Sequence, residues 1–197
     1  MRSFDYIESG KTLLTPHTTS LLAAIHEAKG RQSIQTTIRP DILGTLVAVA
    51  RIQSTDASNR IEGISTSDSR LNDLVSEKVT PRNRNEEEIA GYRDVLSAIH
   101  ESHDYIPVTP NVILQLHRDL FRHTPLTFAG HFKDSDNVII ERDAHGTSTV
   151  RFAPPSALVT PELIERACSA YTQAIRDEHT DPLLAIAMFI LDFTCIH

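Results

Sequence analysis

The chain has 197 residues, 40% of them hydrophobic, and a formal net charge of -7. This length supports one good hydrophobic core, or one core with a helical extension. The acidic balance and the lack of a dense Lys/Arg block argue against a segment that grips a nucleic-acid backbone. The N-terminus lacks the continuous apolar run of a secretory signal, so we expect a cytoplasmic protein without a membrane partner.

Cysteine and histidine usage gives no indication of a metal site. The two cysteines, Cys168 and Cys195, lie on apolar helix stripes without C-x-x-C or Cys/His spacing, and we expect both to be reduced core residues. The ten histidines are scattered and form no H-E-x-x-H pair. We therefore predict no metal ligands in this chain.

Two helices are predicted after an irregular opening. Thr18 or Thr19 is the expected cap of the first, which has apolar residues at helical spacing and ends at Gly30. The second begins near Pro40 and runs towards Asn59, with enough apolar residues for a largely buried face.

The end of the second helix carries the segment Ser58-Asn59-Arg60-Ile61-Glu62-Gly63. Ser58 and Glu62 are four residues apart, so they project from one helical face, and Gly63 fits the residue after the helix. An unremarkable helix end is the simpler interpretation. However, a carboxylate in the last turn opposes the helix dipole by some tenths of a kcal/mol, which favours a partner for Glu62 elsewhere.

Four elements are predicted before the last helix. They are a short helix over 66–78, a helix capped by Asn85 and led by Glu86 to Glu88, a helix from Thr109-Pro110 to about His123, and a β-hairpin between 137 and 152. Turn chemistry at 143–146 separates the two strands. Thr160-Pro161 then opens another helix, and the chain shows no repeat or Gly-rich nucleotide fingerprint.

The last stretch, Asp181 to His197, is apolar on every helical face after Pro182. This pattern predicts a central helix that is buried on all sides. The run is shorter than the roughly 20 residues that a bilayer needs, and it contains Asp192. It ends on His197, and a lone histidine is more often structural than catalytic.

Taken in order, three of these segments resemble the Fic (Fido-domain) family, whose members mostly transfer AMP from ATP to a protein hydroxyl. SNRIEG is similar to the family's inhibitory helix motif, Ser/Thr-x-x-x-Glu followed by Gly or Asn. ILQLHRDLF, AGHFKDSDNVII and VRFAPP resemble the family core with its hairpin flap. LDFTCIH resembles the run into the signature H-x-F-x-D/E-G-N-G-R-x-x-R, and the similarity spans roughly Asp41 to His197.

The resemblance implies a mainly α fold, with a Fic-type helical core and one β-hairpin flap, preceded by an N-terminal helical regulatory segment. It divides the chain into residues 1–84, which carry the inhibitory motif, and 85–197, the front part of a Fido domain. His197 would be the catalytic base. Ser58, Glu62 and Gly63 would form the inhibitory motif, and the flap that binds the target would include Asn137, Val138, Ile139 and Ile140.

The resemblance also implies ATP and Mg²⁺ as cofactors of the intact protein. It implies a target protein, which can be the chain itself, and it is compatible with a homodimer. The Gly-Asn-Gly-Arg loop and the acidic metal ligand of the signature would follow His197, so this chain alone is expected to be inactive. Three alternatives remain open. They are a non-catalytic interaction or regulatory module, the front part of a transcriptional regulator, and a transferase of this fold that moves another phosphate-containing group.

Overall fold

A computed structural model describes residues 4–38, 40–143 and 145–196. Within these residues the chain forms eight α-helices, one 3-10 helix and one two-stranded sheet. The elements, in chain order, are α1 (Tyr6–Leu13), α2 (Pro16–Ile38), α3 (Pro40–Ile61), α4 (Asp68–Val75), α5 (Arg84–Ser102), the 3-10 turn (His103–Tyr105), α6 (Pro110–Leu120), β1 (Ile139–Arg142), β2 (Ser148–Phe152), α7 (Thr160–Arg176) and α8 (Pro182–Ile196). The predicted fold, mainly helical with one hairpin, is confirmed.

The chain divides into two compact units. The first contains Met1–Leu22, Val108–Asn111 and Phe132–His197, and the second contains Ala23–Pro107 and Val112–His131. Each unit is described below by itself. The predicted division of the chain at residue 84 stays a prediction.

The core of the first unit is built from α1, α7 and α8, with Leu22 from the start of α2. Its buried members are Tyr6, Leu22, Ala170, Ala174, Leu184, Ala185 and Met188. Ala170 and Ala174 of α7 and Ala185 of α8 are among these buried residues. Cys168 is a buried, free cysteine of α7, and burial raises the pKa of its thiol to about 11. It is therefore a neutral core residue, whereas the other free cysteine, Cys195, is half-buried.

The core of the second unit lies among α3, α4 and α5. Leu71, Leu74 and Ile89 are buried there, and Ile52, Ile64, Val75 and Val79 pack around them. Gly91 of α5 permits a close crossing of α6, because a Cβ atom at this position would lie 1.9 Å from the carbonyl oxygen of Leu120.

The opening of the chain differs from the sequence expectation. It is helical rather than irregular, because the Asp5 side chain caps α1 by accepting the Glu8 N–H at 3.0 Å. The predicted start of the next helix at Thr18 or Thr19 was late, since Thr15 Oγ1 accepts the Thr18 N–H and Pro16 occupies the first position. Gly30 lies inside α2 instead of ending it.

Two further expectations about helices were wrong. Asn83, not Asn85, caps α5, and its side chain accepts the Glu86 N–H at 3.0 Å. The last helix is not buried on all sides. Packing of α1 and α7 covers one face of α8, whereas Leu183, Ile186, Ile190 and Leu191 remain exposed at helical spacing. None of the described helices combines the length and the hydropathy of a membrane-spanning segment.

Candidate active site

The segment from Ser58 to Gly63 resembles the inhibitory motif, and α3 ends in it at a glycine in the left-handed conformation. Gly63 has a φ of +75°, its N–H donates to the Arg60 carbonyl at 3.0 Å, and the next N–H, from Ile64, donates to Asn59 at 2.9 Å. This pair of bonds is the Schellman arrangement, which needs a left-handed residue at the position of Gly63. The predicted role of Gly63 as a helix stop is confirmed.

Ser58 and Glu62 have different surroundings although both lie near the end of α3. Ser58 is half-buried, and its Oγ accepts a hydrogen bond from the Tyr92 hydroxyl of α5 at 2.8 Å. Glu62 is exposed, and its carboxylate forms no hydrogen bond or ion pair with the residues that the structure describes. The partner expected for Glu62 therefore stays a prediction. Tyr92 is a contact that sequence patterns did not indicate.

Glu86, a buried carboxylate in the first turn of α5, bonds to residues of the connection between α3 and α5. It is 3% exposed and accepts hydrogen bonds from Arg70 Nε at 3.0 Å, the Arg82 N–H at 2.9 Å and the Thr66 hydroxyl at 3.2 Å. The hydrogen bonds from Arg70 outweigh burial and hold the pKa of Glu86 at about 2. The charged form of Glu86 thus anchors both flanks of α4.

The end of α8, where the predicted base would follow, is held by Lys133. The Lys133 ammonium donates to the Ile196 carbonyl at 3.1 Å and to the Asn137 side-chain oxygen at 3.0 Å. One side chain therefore joins the last turn of α8 to the residue that leads into β1. His197 itself lies outside the described residues, so its predicted catalytic role is not tested by the geometry.

A second contact holds α8 one turn earlier, through Tyr6 of α1. The Tyr6 hydroxyl donates to Asp192 Oδ2 at 2.9 Å, and the two residues are only 3% and 2% exposed. Because 186 positions separate them, helical periodicity gave no indication of this pair. It makes α1 an integral part of the first unit.

The predicted hairpin forms, and its strands are exposed on both faces. The strands are antiparallel, with Ile140 opposite Val150 and a register shift between Ile139 and Ile140. The turn is closed by Asp143, whose Oδ1 accepts the N–H groups of His145 and Thr147, and these hydrogen bonds lower the pKa of Asp143. Among the described residues, neither strand pairs with a third, so the outer edges are open.

Apolar side chains on this hairpin face solvent. Val138, Ile139 and Ile140 are each about half exposed, at 51, 56 and 52%. Asn137, the other predicted flap residue, is bonded to Lys133. An open edge flanked by exposed apolar side chains is suited to pairing with an extended segment of another chain.

A cavity of about 580 Å³ lies beside the end of the hairpin. Its walls include Phe152, Pro155 and Leu163, and also Cys195 and Ile196 of the last turn of α8. It is mainly apolar, and Asp192 is the acidic residue in its lining. Across residues 4–38, 40–143 and 145–196, no group of three His, Cys, Asp or Glu residues could hold a metal ion.

Comparison of the chain with known protein families and solved structures gives matches that agree with this fold. Residues 107–197 match the model of the Fic/DOC family. A crystal structure of a Fic domain containing signaling protein from Bacteroides thetaiotaomicron has the same fold, with a TM-score of 0.68 and 20% sequence identity. The match covers 80% of this chain and 59% of that chain. No curated protein matches the chain.

The helical core with its open hairpin thus defines a Fic-type domain. The segment with α6, the hairpin, α7 and α8 is the part of the chain that is similar to the Fic/DOC family. The resemblance drawn from the sequence motifs is confirmed at the level of family and fold. The chain spans 59% of the length of the solved relative, so the activity of a whole protein is a matter for proposal.

Proposed function

We propose that this chain contributes the target-binding and proton-accepting parts of a protein adenylyltransferase, an enzyme that transfers AMP from ATP to a Ser, Thr or Tyr hydroxyl. The observation that carries the proposal is the bridge made by Lys133 between Asn137 and the Ile196 carbonyl. It ties the entry of the exposed hairpin to the residue before His197. A flap that presents a target and a helix end that presents a base need such a fixed relation.

In the proposed reaction, a target segment pairs with the open hairpin edge through main-chain hydrogen bonds. His197 accepts the proton of the target hydroxyl as the hydroxyl oxygen attacks the α-phosphorus of ATP. An O–P bond to the target forms, the bond between the α-phosphorus and the bridging oxygen breaks, and pyrophosphate leaves. By the family resemblance, the signature residues that follow the histidine would hold magnesium and the triphosphate, and the metal would neutralise charge on the phosphates.

Glu62 is proposed to be the brake on this reaction. Its exposed carboxylate stands at the end of α3 and has no partner among the described residues, so it is available to an arginine. Pairing with the last arginine of the signature would withhold that arginine from the γ-phosphate. The Ser58–Tyr92 hydrogen bond and the glycine stop at Gly63 fix the direction in which α3 presents the carboxylate.

The brake is tested by comparing three forms of the intact gene product. Glu62→Gly should raise incorporation of label from α-labelled ATP into the protein by at least tenfold. Glu62→Gln should give a similar rise, because it removes the charge without loosening the helix end. Incorporation equal to wild type in both folded variants would remove the brake assignment.

A non-catalytic interaction module is the second candidate. The observation in its favour is the amount of exposed apolar surface on the hairpin and on the uncovered face of α8. Thermal unfolding with and without ATP separates the two functions. Stabilisation by ATP supports the transferase, whereas an unchanged melting temperature for the intact gene product supports the interaction module.

A further inference from the structure

A small cavity lies within the second unit, where α3 meets α5. It has a volume of about 20 Å³, and its lining consists of Arg51, Thr55, Val75, Arg93, Leu96 and Ser97. A polar cavity needs only about 10–15 Å³ to hold one water molecule, provided that two to four polar groups surround it. The size of this cavity therefore matches a single water.

Two polar atoms of the lining residues have no hydrogen-bond partner among the described residues. Thr55 is 1% exposed, and its hydroxyl, like Arg51 Nε, is buried without a hydrogen bond to any residue that the structure describes. Leaving such a group unsatisfied costs roughly 1–3 kcal/mol. Arg51 Nε can donate to a water, whereas the hydroxyls of Thr55 and Ser97 can each donate or accept. One water could thus satisfy both orphaned atoms.

The charges around the cavity favour water over an anion. The Arg93 guanidinium already donates to Asp94 at 2.8 Å through Nε and to the Leu74 carbonyl at 2.6 Å. Arg51 Nη2 lies 3.7 Å from the Glu101 carboxylate. Both positive charges have acidic neighbours, so the cavity has no uncompensated charge for a halide to neutralise.

We propose that one water molecule is bound in this cavity by Arg51, Thr55 and Ser97, and that it completes a polar seam between α3 and α5. The other members of the seam follow at helical spacing along α3. Ser58 bonds Tyr92, and buried Asn59 donates to the Thr55 carbonyl at 2.8 Å. The Ser58–Tyr92 bond joins the two helices directly, whereas the Asn59–Thr55 bond lies within α3, at the residue whose hydroxyl would contact the proposed water.

A hydrated polar seam affects how α3 can move. Separation of α3 from α5 exposes hydroxyl, amide and guanidinium groups that bulk water rehydrates, so it costs less than opening an apolar interface of the same size. α3 carries Ser58 and Glu62, and release of the seam would displace both. This regulatory consequence rests on the proposed function, whereas the water site does not.

The test replaces the Thr55 hydroxyl with a methyl group of similar shape. If the water is present, Thr55→Val should lower the melting temperature by about 2–4 °C, and amides of residues 55–61 should exchange faster with deuterium. If the cavity is dry, the same change removes an unpartnered hydroxyl and leaves the melting temperature unchanged or higher, which would overturn the proposal. Thr19→Val, at an exposed position of α2, is the control for the intrinsic effect of the substitution.

Ser97→Ala provides the second variant, and it decides the question if Thr55→Val does not fold. A lower melting temperature supports the water, whereas an unchanged or higher one contradicts it.

Wild-type unfolding is also measured in chloride and in acetate at equal ionic strength. A chloride-specific stabilisation that Thr55→Val abolishes would assign an anion and overturn the water. None of these measurements uses nucleotide, so the water site and the transferase can fail separately.

Discussion

Glu86→Gln is the change that should most clearly weaken the packing around α4 and α5. The substitution keeps the size of the side chain but removes the charge that Arg70 holds in a site only 3% exposed. Arg70 would keep its hydrogen bond to the Thr80 carbonyl at 3.0 Å and lose its ionic partner. The Thr66 and Arg82 donors would face a weaker acceptor.

The magnitude follows from the pKa of Glu86, which folding lowers from 4.5 to about 2. One pKa unit corresponds to about 1.4 kcal/mol, so the ionised carboxylate contributes at most about 3 kcal/mol to the free energy of unfolding. Because the pKa is lower in the folded protein, this contribution is fully present above pH 4.5. It is lost as the pH falls from there towards 2.

The assay is urea denaturation of wild type and Glu86→Gln at pH 7 and again at several values down to pH 3. At pH 7 the variant should be less stable by about 2–3 kcal/mol, and the difference should shrink as the pH falls below 4.5. Glu87→Gln, in the same first turn, is the matched control and should change stability by only a few tenths of a kcal/mol. Equal midpoints at pH 7, or a difference independent of pH, would refute the reasoning.

Two further substitutions test the packing of the units. Gly91→Ala should destabilise the fold by about 3 kcal/mol or more in urea denaturation, because the new methyl group would overlap the Leu120 carbonyl. Gly44→Ala, in open space within α3, should be neutral or stabilising by up to about 1 kcal/mol, and equal effects would contradict the predicted clash. Tyr6→Phe should cost about 1–3 kcal/mol by removing a donor to buried Asp192. Tyr171→Phe is its control, since that hydroxyl bonds no described residue, and a neutral Tyr6→Phe would exclude a stabilising role for the pair.

Local signals in the sequence predicted much of the fold. Pro40, Pro110 and Pro182 each occupy the first position of a helix, and Gly63 stops α3 as its spacing indicated. The β-branched run at 138–140 and the turn residues after Arg142 were enough to predict the hairpin. These features depend on neighbouring residues, so the sequence alone contains the necessary information.

Long-range contacts could not be predicted in the same way. The first turn of α5 showed three glutamates that all suit the positive end of a helix dipole, yet only Glu86 turns inward to Arg70. The pattern of α8 indicated an apolar helix correctly but could not show which faces have a neighbour. The sequence around Lys133 and Tyr92 did not indicate their partners, and tertiary packing brings them to Ile196 and Ser58.

For the candidate site, the sequence could predict the helix that presents Ser58 and Glu62, the hairpin that contains Ile139 and Ile140, and the helix that leads to His197. The roles of these residues came from resemblance to a family. Position along the chain does not determine a partner for Glu62 or the orientation of an imidazole, because both depend on groups distant in sequence. Those roles remain proposals.

The most direct test of AMP transfer is intact mass spectrometry of the gene product after incubation with ATP and Mg²⁺. The account predicts that Glu62→Gly gains the mass of one or more AMP groups, and that Glu62→Gly combined with His197→Ala gains none while remaining folded. No AMP adduct on folded Glu62→Gly, with or without added candidate targets, would contradict the proposed activity. Equal adduct formation in the presence and absence of His197 would contradict its assignment as the base.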